Sequence, residues 1–238
     1  MTPHRKAPQA NIERDITIDA GKVALEGALA LPDGASGLVL FAHGSGSSRH
    51  SPRNRYVAQV LQAGGIGTLL FDLLTREEES VDQYTAELRF DIGLLAERLI
   101  GATRWVTSQP EMRNLQLGYF GASTGAAAAL VAAAKLPDAI SAVVSRGGRP
   151  DLAEDALDSV RAPTLLIVGG DDEPVIGMNR HALARLRHAE KELVIIPGAT
   201  HLFEEPGKLE EVARIAAEWF ALHLASPAKS RVQASARR

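Results

Sequence analysis

Three residues of the types used in nucleophilic catalysis occur along the chain in the order Ser123, aspartate, His201. A serine hydroxyl attacks well only when a base removes its proton, and a histidine held by a carboxylate is such a base. Catalytic triads occur on several unrelated folds, and each fold has its own chain order, so the order is informative. The residues predict acyl transfer through Ser123, with His201 as the base.

The serine lies at the centre of the motif Gly121-Ala122-Ser123-Thr124-Gly125. An apolar run at 115–120, predicted as a strand, precedes it, and an alanine-rich run at 126–134, predicted as a helix, follows. A sharp strand-turn-helix connection exposes a nucleophile, strains its backbone and leaves no room for side chains two positions away. The two glycines are therefore predicted to form the turn that presents the serine hydroxyl.

Two adjacent aspartates, Asp171 and Asp172, are candidates for the acid. They follow a predicted strand at 163–168, and His201 follows another at 193–196. Because function collects at the carboxyl ends of parallel strands, we expect the acid and the histidine at one edge of the sheet. A lone aspartate more often caps a turn or helix, but the chain order and strand-end placement favour catalysis. The residue pattern alone leaves both aspartates open.

A loop rich in glycine and serine, residues 43–48, follows the apolar strand predicted at 38–42. A tetrahedral intermediate needs two preorganised N–H donors, and those of Thr124 and Ser45 are predicted to form this oxyanion hole. His43 and Gly44 are candidate substrate-binding residues in the same loop. Phosphate binding is the alternative for this loop, but it lacks both the Lys-Ser/Thr ending of a P-loop and the glycine spacing of a dinucleotide site.

A segment with two arginines, residues 145–151, follows the strand after the nucleophile helix. That position faces the expected active-site edge, where an arginine can bind a substrate carboxylate. Arg146 is therefore a candidate substrate-binding residue. The structural alternative is an ion pair with Asp91, Asp151 or the acidic stretch 77–79.

Strands and helices alternate along most of the chain, which predicts an α/β domain: a mainly parallel sheet with helices on both faces. An antiparallel strand pair is expected to open the domain. Only about 12 residues separate Arg149 from the strand at 163, so no cap domain and an open site are expected. Strands are predicted at 16–18, 23–31, 38–42, 66–71, 115–120, 139–144, 163–168 and 193–196, and helices at 54–63, 83–106, 126–134 and 209–224.

The composition places limits on the partners and the chemistry. The chain has 238 residues, 45% of them hydrophobic, a formal charge of −3 and no cysteine. One domain at 15–225 is predicted, with a flexible N-terminus at 1–14 and a disordered basic tail at 226–238. The charge argues against nucleic acid, and the lack of a signal-like start or a long apolar run argues against a membrane, so a cytoplasmic protein is expected. Without cysteine, disulfides, thiolate metal sites and a thiol nucleophile are excluded.

With these motifs in place, the chain resembles the α/β-hydrolases, and within them the dienelactone hydrolase-like group, which lacks a cap domain. The resemblance spans about residues 15–224. The motifs Gly170-x-Asp172-x-x-Val175 and Gly198-Ala199-Thr200-His201-Leu202-Phe203 lie where that family has its acid and base. This spacing selects Asp172. The enzymes that named the family use a cysteine nucleophile, so the serine here implies esterase chemistry and makes dienelactone a doubtful substrate.

The sequence thus predicts a serine hydrolase that cleaves carboxylic esters, a class that extends to lactones and thioesters, through an acyl-Ser123 intermediate. The expected partner is a small or medium-sized soluble ester, and no metal or organic cofactor is implied. Two alternatives remain: an acyltransferase of the same fold, which differs in keeping water from the acyl-enzyme, and a binding or regulatory domain without catalysis. The complete set of Ser123, Asp172 and His201 argues against the second.

Overall fold

The computed structural model describes residues 13–225; the rest of the predicted terminal segments lies outside the described residues. Eight strands form one sheet: β1 (Arg14–Asp19), β2 (Ala24–Ala30), β3 (Gly37–Ala42), β4 (Gly67–Phe71), β5 (Gln116–Ala122), β6 (Ile140–Arg146), β7 (Thr164–Gly169) and β8 (Lys191–Ile196). Six α-helices surround it: α1 (Pro52–Ala63), α2 (Arg76–Thr85), α3 (Ile92–Ser108), α4 (Thr124–Lys135), α5 (Glu173–Arg185) and α6 (Lys208–His223). Two 3₁₀ segments, Leu88–Phe90 and Pro150–Ser159, complete the described elements.

The strand order is β1-β2-β4-β3-β5-β6-β7-β8. Strand β2 pairs antiparallel with both β1 and β4, and all the other pairs are parallel. The predicted fold class, including the antiparallel N-terminal pair, is confirmed. Because β3 and β5 to β8 run in parallel, their carboxyl ends form one edge, where the loops carrying the candidate residues meet.

The core consists of two apolar layers, one on each face of the sheet. Helices α3, α4 and α5 cover one face, and α1 and α6 pack together on the other. Helix α4 is almost entirely buried, and its small alanine side chains let it lie close to the central strands. The helix that begins at the candidate nucleophile is therefore fixed in the centre of the domain.

The long helix predicted at 83–106 is wrong, because the chain breaks between α2 and α3. Ala86 adopts a left-handed backbone with φ of +55° and ends α2. The buried carboxylate of Asp82 accepts the N–H of Leu88 at 2.6 Å, and Asp91 caps α3 by accepting from the N–H of Leu94 at 2.9 Å. Two aspartate side chains thus satisfy the backbone groups that a continuous helix would have paired.

Three further segments were not predicted: most of helix α2, helix α5 directly after the aspartates, and the 3₁₀ segment Pro150–Ser159. The last packs against α4 and α5 and occupies most of the short connection before β7. Within residues 13–225, no inserted cap domain is present and no helix is long and apolar enough to cross a membrane.

Candidate active site

Ser123 lies between β5 and α4 in a backbone conformation that L-residues rarely adopt, with φ of +50° and ψ of −122°. Such a conformation costs about 1–3 kcal/mol and persists only where the surrounding structure holds it. The Ser123 N–H donates to the Arg146 carbonyl at 3.3 Å, and the Ser123 carbonyl accepts from the N–H of Arg149 at 3.0 Å. The end of β6 therefore holds the strained residue in place through main-chain bonds.

The glycines on either side of this turn have no room for a side chain. A Cβ atom at Gly125 would overlap the carbonyl oxygens of Ala42 and His43, and one at Gly121 would overlap the backbone of Ala126. The close approach of α4 to the ends of β3 and β5 thus requires both glycines, as the motif predicts.

His201 and Asp172 are joined at the ends of β8 and β7. The His201 Nδ1 atom lies 2.7 Å from the Asp172 Oδ2 atom. Asp172 precedes α5, but its side chain makes no capping bond, so the carboxylate is available to the imidazole. Asp171 is exposed. Of the two candidate acids, Asp172 is therefore the one that contacts the histidine.

The loop that carries His201 is held by its own side chains. Glu205 accepts from the Thr200 N–H at 3.2 Å and from its hydroxyl at 2.6 Å, and Phe203 is buried beneath the loop. At Gly147, a Cβ atom would lie 2.9 Å from the His201 carbonyl oxygen, so the chain after β6 passes close under the loop. These contacts hold the loop that positions the imidazole at the carboxyl edge of the sheet.

The predicted oxyanion donors differ in what they bond. The N–H of Thr124 is the first of α4 and so has no partner within the helix, and the positive end of the helix dipole lies there. The N–H of Ser45 instead donates to Thr124 Oγ1 at 3.0 Å. The Thr124 N–H is thus a free donor, and the Thr124 hydroxyl holds the loop at 43–48 in place. The Ser45 N–H already has a partner within the protein.

Both ring nitrogens of His43 have hydrogen-bond partners within the protein. Its Nε2 atom accepts from the Leu73 N–H at 3.1 Å, so Nδ1 carries the proton and donates to the Gly44 carbonyl at 3.0 Å. Burial lowers the pKa of His43, which favours this neutral form. His43 thus ties the oxyanion loop to the segment after β4, and its role in substrate binding stays a prediction.

Ser123 and His201 line one cavity of about 230 Å³ at the carboxyl edge. Gly44, Ser45 and Arg146 line it too, so the structure brings these sequence candidates together. A second cavity of about 670 Å³, partly lined by His43, adjoins the first through the three residues they share, Ser47, Ser51 and Arg53. The site opens toward α2, with space for a substrate larger than the first cavity holds.

Arg146 is buried in this cavity, and the ion pairs considered for it are not formed within residues 13–225. Asp151 pairs with Arg149 at 2.8 Å, and Glu78 pairs with Arg98 at 2.5 Å. The Nη2 atom of Arg146 donates to the Asn54 side chain at 3.3 Å. Burial, with a smaller contribution from the charge of Arg53, lowers the pKa of Arg146 to about 10.

From sequence, segment 49–55 after the oxyanion loop can either shape the pocket or form ion pairs, and the structure brings the start of α1, within this segment, to the cavity. Ser51 caps this helix by accepting from the N–H of Asn54, and Ser51, Arg53 and Asn54 all line the cavity. A serine directly before Pro52 is a recognisable helix-start signal. It places the first helical turn immediately after the oxyanion loop, and thus beside the nucleophile.

Comparison with known proteins adds a family and several relatives. The model of the dienelactone hydrolase family matches residues 25–224. A dienelactone hydrolase from Anabaena variabilis, of known crystal structure, is 62% identical, with a TM-score of 0.90 over 91% of this chain and 100% of that one. An esterase from Pyrococcus furiosus is 18% identical, with a TM-score of 0.72 over 91% of this chain and 93% of that one, which shows a shared fold.

Relatives in Mycobacterium tuberculosis are named for phosphoribosyl transfer. One is 56% identical over 218 residues, which are 92% of this chain and 48% of the relative. The chain thus spans about half the length of these curated relatives, and half of each lies outside the match.

Proposed function

Since the chain belongs to the dienelactone hydrolase family, we propose that it is a serine hydrolase that cleaves carboxylic esters through an acyl-Ser123 intermediate. The observation that carries this proposal is the 2.7 Å contact between His201 Nδ1 and Asp172, beside a cavity that Ser123 shares with His201. The carboxylate fixes the tautomer with the proton on Nδ1, which leaves Nε2 unprotonated to act as the base.

In the proposed reaction, His201 Nε2 removes the Ser123 proton as Oγ attacks the ester carbonyl. Asp172 stabilises the imidazolium that forms, and the imidazolium then protonates the departing alcohol. Water enters, loses its proton to the same nitrogen and releases the acid from the serine. The side chain of His201 is 38% exposed, which gives water access and favours hydrolysis over transfer to another acceptor.

The N–H of Thr124 is the proposed first donor to the oxyanion. That of Ser45 becomes the second only by exchanging its bond to Thr124 Oγ1 for one to the substrate oxygen. The glycine at 44 supports this arrangement, because a Cβ atom there would lie 3.0 Å from the Cβ of Ser123. The loop can thus approach the nucleophile closely enough for a backbone donor to reach the intermediate.

The phosphoribosyl transfer named in the M. tuberculosis relatives is not proposed for this chain, because half of each relative lies outside the match. The strained backbone at Ser123 and the contact between Asp172 and His201 are both present, and they argue against a binding domain without catalysis. Small ester substrates and a cytoplasmic location remain proposals.

Labelling with a fluorophosphonate probe tests the function, because the probe reacts only with an activated serine. We expect the wild-type protein to be labelled and to hydrolyse nitrophenyl esters, and Ser123→Ala to lose both, with kcat falling about 10⁶-fold. Ser141→Ala is the matched control, because Ser141 lies in the N-terminal part of β6, away from the site. Its hydroxyl donates to the side chain of Gln116 on β5. Retained ester hydrolysis in Ser123→Ala would refute the assignment.

A further inference from the structure

Asn179 is a polar side chain at a core position of helix α5. It lies four residues after Val175 and three before Ala182, the other two buried residues of that helix, and it is fully buried itself. A leucine here would continue the apolar stripe of the helix, whereas an amide loses the hydrogen bonds that water would give it. The bonds that Asn179 makes within the protein therefore have to offset that cost.

The amide of Asn179 joins α5 to the chain that follows β6. Its Nδ2 atom donates to the Val175 carbonyl at 2.8 Å, one turn earlier in the helix, and to the Gly148 carbonyl at 3.0 Å. Because both partners are acceptors, the amide nitrogen must face them, and both of its protons are used. Among the described residues, the bond to Gly148 is the one hydrogen bond of this side chain outside α5.

The segment at 147–149, which receives this bond, supports the nucleophile. The Arg149 N–H donates to the Ser123 carbonyl at 3.0 Å. A Cβ atom at Gly148 would lie 2.6 Å from the Cβ of Ala126, which is in the first turn of α4. No space is left between this segment and the start of the nucleophile helix, so a displacement of the segment would be passed on to the turn at the serine.

The same segment lies under the loop that carries the base, and Asn179 connects it to the helix that follows the acid. A Cβ atom at Gly147 would lie 2.9 Å from the His201 carbonyl oxygen. Asp172 directly precedes α5, about two turns before Asn179. Because the Asp172 side chain makes no capping bond, the position of the helix start depends on contacts made further along α5.

We propose that Asn179 is a positioning residue that holds the helix carrying Asp172 at a fixed distance from the nucleophile turn. This inference rests on the proposed ester hydrolysis and adds to it a residue that does not line the catalytic cavity. A hydrogen bond fixes direction as well as distance, and a misplacement of about 1 Å can cost about 10²-fold in rate. The tether acts on catalysis through the 2.7 Å contact of Asp172 with His201.

Two substitutions remove the tether in different ways. Asn179→Leu keeps a similar volume and removes both N–H donors. Asn179→Ser leaves a hydroxyl that can bond the Val175 carbonyl within the helix but is too short to reach Gly148. We expect either variant to lower kcat for a nitrophenyl ester about 10- to 100-fold. KM should change by less than about threefold, because the lining of the cavity is unaltered.

Thr103→Val is the matched control, because it removes another buried side-chain hydrogen bond. The Thr103 hydroxyl lies 2.6 Å from the Tyr119 hydroxyl, in the core between α3 and β5. This variant should lower the melting temperature by an amount comparable to that of Asn179→Leu and retain the kcat of the wild type. An equal loss of kcat in the two variants would overturn the proposal, since the rate would then follow stability.

A double-mutant cycle shows whether Asn179 acts through Asp172. Asp172→Asn removes the carboxylate that the tether positions, so adding Asn179→Leu to it should lower kcat by less than about threefold further. A role in stability alone would give the same factor in both backgrounds, and that result would overturn the proposal. Failure of both Asn179 variants to fold, with Thr103→Val folded, would overturn it too, because the residue would then serve the fold.

The contact itself can be observed without turnover. The His201 Nδ1 proton, in its short bond to Asp172, should give a separate downfield signal in proton NMR spectra of the wild type and of Thr103→Val. In Asn179→Leu the signal should shift or broaden. If Ser123 is not labelled and no ester is cleaved, the proposed function fails, and this signal alone decides on the tether. A wild type without the signal, or an unchanged signal in Asn179→Leu, would overturn it.

Discussion

The arginines beside the carboxyl end of β4 and those beside the end of β6 are treated differently by the fold. Near β4, Arg49 pairs with Asp72 and Glu26, and the side chain is only 15% exposed. Arg89 pairs with the buried Asp82, and Arg98 with Glu78. We call these pairs the β4 network. Near β6, Arg146 is more deeply buried than any of them and has no carboxylate partner within residues 13–225.

This difference separates arginines that are paired with carboxylates from an arginine that lines the cavity without such a partner. In the β4 network each arginine has an acidic partner, so substitution there should change stability and leave the chemistry of the cavity unaffected. Beside the cavity that Ser123 and His201 line, the carboxylate of Asp172 already contacts His201. Substitution there should change the rate and leave stability nearly unaffected.

The largest effect should come from Asp172→Asn. An amide does not hold the imidazole in the tautomer that accepts the serine proton, and it does not stabilise the imidazolium, so kcat should fall about 10⁴-fold. Steady-state kinetics with a nitrophenyl ester measures the loss, and a thermal melt close to that of the wild type would place the effect in catalysis. Asp171→Asn, at the exposed neighbour, is the matched control and should retain activity. A comparable loss in that control would contradict the choice of acid.

Asp82→Asn should show the opposite behaviour in the β4 network. Asp82 accepts from Arg89 Nε at 2.5 Å and from the Leu88 N–H, and loss of its charge should cost about 1–3 kcal/mol of unfolding free energy. Denaturant unfolding measures this change. Asp33→Asn, in an exposed turn, should stay within about 0.5 kcal/mol of the wild type. The rate per folded molecule should be retained, and a large fall in kcat would break the comparison.

The same variant has an expected pH dependence. Burial raises the pKa of Asp82, but the bonds from Arg89 and Leu88 outweigh it and the net pKa is lowered. A lowered carboxyl pKa gives stability that is present above the ordinary value of 3.8 and is lost as the pH falls through the lowered one. The difference in unfolding free energy between wild type and Asp82→Asn should therefore shrink below about pH 4. A constant difference would contradict the assigned cause.

The smallest effect is expected at Arg149, three residues after Arg146 but already paired. Its guanidinium forms bonds of 2.9 and 2.8 Å with the Asp151 carboxylate, and the side chain is 34% exposed. Arg149→Gln should lower the unfolding free energy by less than about 1 kcal/mol, measured by denaturant titration. The rate of ester hydrolysis per folded molecule should not change. A fall in kcat/KM equal to that of Arg146→Gln would remove the distinction between the two arginines.

The fold and the proximity of the candidate site residues were largely predictable because each depends on local pattern. Apolar runs mark the parallel strands, and the flanking glycines mark the turn at Ser123, where sterics leave little choice of residue. Strand ends then bring His201 near the aspartates. The choice of Asp172 came from a family resemblance, because two adjacent carboxylates are equivalent until the backbone of α5 orients them.

The parts that could not be predicted depend on contacts distant in sequence. The apolar spacing of a helix continues through 83–106, so the break at Ala86 becomes visible only when Asp82 is seen buried beneath Leu88. Helix α5 contains Pro174 and Gly177 and little apolar periodicity, and its helical state depends on packing against β7, β8 and the 3₁₀ segment. Likewise, only the structure shows that Arg149 takes Asp151 and leaves Arg146 without it.

The hydrogen bond from the Ser123 N–H to the carbonyl of Arg146 has a consequence for how specificity can evolve. Any residue at position 146 supplies that carbonyl, so the support of the nucleophile does not depend on which side chain stands there. The side chain can be exchanged during divergence or in the laboratory while the turn stays assembled. Position 146 thus combines a main-chain bond to Ser123 that any residue can make with a side chain that lines the cavity.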